Sequence, residues 1–252
     1  MRRRRLAIVC AGVAIVAAAA FLRAQQQVHT PAALEEWCSP LPVLYLQVRD
    51  AAGLIERYRS GAEERSYHES TNFTQFQQSK LYNKLEARIK RIEEVAGFGI
   101  TLDNLVSFLG KESAVWLFDI QELKFVAATT IPEHRFADSA LAQVKAQFEE
   151  RQGDGFTYSV KEAPEEGVSL AFCRFGATLV FSNDLDSFLS VARRIRQKPD
   201  FFAEAQRAFR AAFDPEFTCG QATLFLTKEA IRNTYFRTYW VFRNAPSLAW
   251  ID

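Results

Sequence analysis

Residues 113–131 read Ser113-Ala-Val-Trp-Leu-Phe-Asp-Ile120, then Gln121-Glu122, then Leu123-Lys-Phe-Val-Ala-Ala-Thr-Thr-Ile131. Two apolar runs rich in β-branched and aromatic residues flank a two-residue polar break, and Pro132 closes the second. Such runs favour strands, and a link this short joins antiparallel neighbours. The spacing therefore predicts a hairpin, and with it an antiparallel sheet. Residues 168–174 and 177–182, around Phe175-Gly176, predict a second hairpin. Residues 43–48 and 222–227 are further strands, and residues 156–162 alternate like an edge strand after the Gly153-Asp154-Gly155 turn.

Helical patterns lie between these strands. Asp50 caps a helix carrying Leu54, Ile55 and Tyr58, which Gly61 ends. A polar stretch, residues 62–74, leads to Leu81, Leu85, Ile89, Ile92 and Ala96, spaced 4, 4, 3 and 4 apart and stopped by Gly97. Thr101 opens a short helix through Leu102, Leu105 and Phe108. Residues 138–150 predict a helix with Leu141, Val144 and Phe148 inside, and Asn183-Asp184 opens another over Leu185, Phe188, Leu189, Ala192 and Ile195. Further helices are expected over residues 200–213 and 229–243. Most strand connections are too short for parallel crossovers. The fold class is thus α+β: a largely antiparallel sheet with amphipathic helices on one face, after an N-terminal membrane-spanning or signal helix.

That N-terminal helix is the strongest signal for location. Arg2, Arg3, Arg4 and Arg5 precede an uncharged run from Leu6 to Leu22, and Arg23 follows. Positive charge ahead of an apolar helix keeps that end in the cytoplasm. As an anchor, residues 6–22 reach about 25 Å, slightly short of the roughly 30 Å hydrocarbon core. As a cleavable signal, the run has a suitable h-region, and Ala18-Ala19-Ala20 offers a cleavage site. Both readings stay open. They divide the chain into residues 1–23 (anchor or signal), 24–40 (a Gln- and Pro-containing linker) and 41–252 (an extracytoplasmic domain). The protein is expected in the inner membrane, single-pass with its C-terminal part in the periplasm, or secreted if the signal is cleaved.

Composition narrows function by exclusion. The 48% hydrophobic and 24% charged balance is globular, with Phe high at 22 residues. Removing the five arginines of residues 1–23 from the 31 basic residues leaves 26 against 30 acidic, a net −4. A nucleic-acid partner is not expected of that charge. Cys10, Cys38, Cys173 and Cys219 include no C-x-x-C pair; Cys173 and Cys219 read as buried strand residues, and a bridge to Cys38 stays open. His29, His68 and His134 have no His or Cys at ligand spacing, so no metal is expected. No nucleophile elbow, Walker loop or dinucleotide fingerprint occurs, so no cofactor and no catalytic residue is assigned. Ser182-Asn183-Asp184-Leu185-Asp186 has oxygen ligands at calcium-like spacing, but helix capping explains it more simply.

The most distinctive segment is Tyr235-Phe236-Arg237-Thr238-Tyr239-Trp240-Val241-Phe242-Arg243. As a helix it sets Tyr235, Tyr239 and Phe242 along one side with Phe236 and Trp240 adjacent. That is more ring than one buried stripe takes up, so these five residues are the candidate interaction surface.

Leu41-Pro-Val-Leu-Tyr-Leu-Gln-Val-Arg-Asp50, Ser79-Lys-Leu-Tyr82, Leu105-Val-Ser-Phe-Leu-Gly110, Leu179-Val-Phe-Ser-Asn-Asp184 and Tyr235-Phe-Arg-Thr-Tyr-Trp240 together resemble an uncharacterised family of bacterial signal-anchored envelope proteins, a domain of unknown function. The similarity spans residues 40–252. It implies a longer chain, Trp250-Ile251-Asp252 being like an interrupted strand, and it carries over no catalytic residues. The expected function is a non-enzymatic envelope protein acting through protein–protein contacts. Two alternatives are a periplasmic hydrolase with an unmarked acidic site and a lipid or small-ligand binder.

Overall fold

A computed structural model describes residues 42–197 except 121 and 154, residues 201–204 and 207, and residues 222–226. The strands are β1 (Leu44–Arg49), β2 (Glu112–Asp119), β3 (Lys124–Thr130), β4 (Glu149–Gly153), β5 (Phe156–Ala163), β6 (Val168–Phe175), β7 (Thr178–Ser182) and β8 (Ala222–Leu226). They form one antiparallel sheet in the order β4-β5-β6-β7-β3-β2-β1-β8. The hairpin expected over residues 113–131 is β2–β3, with Trp116 opposite Val126. That around Phe175-Gly176 is β6–β7, where Gly176 supplies the positive φ of 59° that the turn requires. The meander β4–β7 returns to pair with β3, Ala128 facing Val180. The chain then crosses to the opposite edge, where β8 sets Phe225 against Tyr45 of β1.

The helices are α1 (Ala51–Ser60), α2 (Glu63–Glu69), α3 (Thr71–Gln77), α4 (Lys80–Ala96), α5 (Leu102–Phe108), α6 (Glu133–Ala137), α7 (Ala140–Gln143) and α8 (Leu185–Gln197). α1 has its expected Asp50 cap, and α4 ends at Gly97 with φ 79°. Residues 62–74 are not merely a polar stretch. They form α2 and most of α3, the latter started by the Ser70 hydroxyl accepting from the Phe73 N–H. Residues 138–150 are not one helix either. α7 gives way to a 3-10 turn, Lys145–Gln147, and the chain is extended from Glu149 as β4. β4 therefore takes the edge position expected of residues 156–162, and β5 lies inside it. Its sequence, Glu149-Glu-Arg-Gln-Gly153, has no apolar residue to betray a strand; it is charged as edge strands are.

The helices occupy both faces of the sheet, which corrects the one-face expectation. On one face Trp116, Val126, Ala171, Cys173 and Val180 pack with Phe188, Val191, Ala192 and Ile195 of α8. The alternate residues Phe172 and Leu179 point the other way, to Phe108, Leu141 and Val144. On that second face Val168 also meets Ile92 and Val95 of α4. The physical reason is visible in β6: Val168-Ser-Leu-Ala-Phe-Cys-Arg-Phe175 is nearly continuous in apolar residues, as a strand buried on both sides must be. Among the described residues no helix is long and apolar enough to cross a membrane.

Candidate interaction surface

Several buried polar side chains in this domain hold backbone. Arg88 of α4 is 7% exposed, yet all three of its guanidinium nitrogens donate: Nε to the Glu122 carbonyl at 2.8 Å, Nη1 to Glu166 at 3.0 Å and Nη2 to Gly167 at 2.7 Å. It ties two hairpin ends to the helix. Asn183 acts similarly: its Nδ2 donates to the Leu123 carbonyl at 2.8 Å, and its Oδ1 accepts from Phe125 N–H at 2.9 Å. The side chain thereby continues the β3–β7 ladder by one rung.

Beside it, Asp184 caps α8. Its Oδ2 accepts from Ser187 N–H and Oγ, and its Oδ1 lies 2.9 Å from Lys124 Nζ. Burial alone would raise the Asp184 carboxyl, but the hydrogen bonds from Ser187 and Lys124 outweigh it and hold the group below the usual carboxylate range. Lys124 is raised, chiefly by its bond to Asp184. The side-chain oxygens of Asn183 and Asp184 thus serve ladder closure and capping. Cys173 lies buried in β6, and burial pushes its thiol well above the ordinary range, away from nucleophilic use. Among the described residues, no three His, Cys, Asp or Glu side chains converge as a metal site would need. His134 is exposed on α6.

Two surfaces stand out. The first is the arm α1–α3, which leaves the sheet after β1 and packs on itself, on α4 and on α5. Of residues 51–77 only Ala51 and Phe73 are buried. Phe73 gathers Tyr67 and His68 around it, ring centroids 5.0 and 4.7 Å away. Arg59 pairs with Asp103 of α5, and Arg57 pairs with Asp50, the cap of its own helix. Leu54, 38% exposed, stands out on α1 as a large hydrophobic side chain in water. The second surface is one face of β8–β1–β2, where Leu44, Leu46, Val115, Leu117 and Leu224 are half-buried.

The sequence-predicted surface, Tyr235, Phe236, Tyr239, Trp240 and Phe242, lies outside the described residues, as do residues 6–22, Cys38 and Cys219. Neither the arm nor the aliphatic face is marked by a motif in the sequence. A signal for the face exists in the Leu/Val alternation at 44, 46, 115 and 117, but only the strand register shows that these residues meet. No family model, curated protein or solved structure matches the chain.

Proposed function

We propose that this chain is a non-enzymatic envelope protein of the kind its sequence resembles, held in the inner membrane through residues 6–22 with the remainder in the periplasm. It acts by binding another envelope protein. The basic start followed by one apolar run supports the placement. The observation that carries the contact role is the arm: residues 51–77 bury only Ala51 and Phe73 and leave Leu54 38% exposed on α1. Contacts of this kind concentrate their energy in a few apolar and aromatic anchors. The aromatic residues of segment 235–242 form a second contact patch in this reading.

The test is affinity purification of the full chain from detergent-solubilised membranes, beside Leu54→Glu. Leu54 is outside the core, so the variant should melt with the wild type. A partner should co-purify in stoichiometric amount with the wild type and fall roughly tenfold with the variant, the effect of losing one anchor of about 1.4 kcal/mol. Equal recovery with both proteins, or no partner at all, contradicts the proposal.

A further inference from the structure

The arm α1–α3 is held to the body by few contacts. Among the described residues, Phe76 of α3 is the only arm side chain that joins a core cluster, its ring 5.5 Å from that of Tyr82 on α4. On the other side α1 meets α5 through Arg59 and Asp103, a pair 38% and 75% exposed, and ion pairs so open to water hold little. Phe73, the arm's one large buried side chain, gathers Tyr67 and His68 of the arm itself.

Other features oppose closure. The Tyr58 hydroxyl and His68 Nε2 are both shut away from water with no hydrogen-bond partner. A polar atom left in that state is destabilising until water reaches it. α1, α2 and α3 have 10, 7 and 7 residues, all below the roughly 12–15 at which an isolated helix begins to hold. Asp50, where the arm leaves β1, sits in the left-handed region at φ 56°, which strains a residue that is not glycine. The boundaries, by contrast, belong to the body. The Ser79 hydroxyl caps α4 by accepting from the Tyr82 N–H at 3.0 Å, so the first turn of α4 does not depend on α3. At the other end the Asp50 N–H donates to the Lys111 carbonyl.

We propose that α1–α3 is a latch, which opens from α4 and α5 as one unit between Asp50 and Ser79 while the sheet and α4 stay folded. Opening lets water reach Tyr58 and His68 and uncovers Tyr82. A partner that binds one state better shifts the latch by its difference in affinity. The proposal goes beyond the contact role, because it concerns the arm's own equilibrium and stands whether or not a partner binds at Leu54.

Hydrogen exchange of the full chain in detergent, followed by mass spectrometry at increasing urea, reads the latch. Peptides from α1, α2 and α3 should be protected roughly 100-fold less than those of β6 and α8, and should share one urea dependence. Tyr58→Phe keeps the ring and removes the stranded hydroxyl, so it should slow exchange across all three helices about tenfold and leave β6 unchanged. His68→Phe removes the other stranded atom and should act in the same direction. Three results overturn the proposal: arm protection equal to that of β6, separate urea dependences for the three helices, or arm exchange that both variants leave unchanged. Recovery of a partner enters none of these, so the latch and the contact role fail separately.

Discussion

Arg88 is the residue on which several elements depend. Its three hydrogen bonds go to carbonyls on the β2–β3 turn and on the turn before β6, so one buried cation joins α4 to two hairpins. Arg88→Met removes the charge together with its stem of bonds and leaves three inward carbonyls without donors. We expect a loss of about 3 kcal/mol in urea unfolding; a change within 0.5 kcal/mol would show that the clamp is ornamental. Asp184 gives a pH signature. Its folded-state pKa is depressed, so its contribution is present above the unfolded value and is lost as pH falls through the folded one. Stability of the wild type should therefore decline below about pH 4 more steeply than that of Asp184→Asn. The variant should also be about 1 kcal/mol less stable at neutral pH, because it loses the charged bond with Lys124. Parallel acid limbs for the two proteins would contradict this.

At the scale of elements, Gly110 shows a constraint no propensity contains. It links α5 to β2 with its N–H on the Thr129 hydroxyl at 2.7 Å, and a Cβ there would collide with the Thr130 carbonyl oxygen. Gly110→Ala should cost about 2 kcal/mol or more through displaced strand ends, read as a lower melting temperature; an unchanged melting temperature would mean the approach is slack. The elements legible in the sequence were those whose apolar period decides them: β1, the β2–β3 and β6–β7 hairpins, α4 and α8. β4 was hidden because an edge strand facing water can be wholly polar. The break at residues 138–150 was hidden because Leu141 and Val144 are buried whether the chain is α-helical or 3-10 there, so the pattern cannot tell them apart. α2 and α3 were hidden because they are short and bury almost nothing.

At the scale of the molecule, the one-face arrangement failed for a reason the residues contained. β6 and β7 are apolar on both sides, and a strand like that needs a cover above and below. α8 covers one face, and α4, α5 and α7 cover the other; among the described residues the half-buried Leu44, Leu46, Val115, Leu117 and Leu224 of the β8–β1–β2 end join no core cluster. Neither Leu54 nor the Leu44–Leu117 pairing was legible in the sequence, because they become visible only when helix packing and strand register are known. A reporter inserted after residue 226 should be active only in its periplasmic form, and activity of a cytoplasmic reporter there would reverse the orientation.

The proposed contact with another protein lies outside the cytoplasm and centres on Leu54. A photo-crosslinking residue at position 54 of the full chain, irradiated in intact cells, tests it most directly. The expected result is a discrete heavier adduct with a second protein that is digested when protease is added to the outer side of the inner membrane. No adduct, or an adduct that the protease cannot reach, would contradict it.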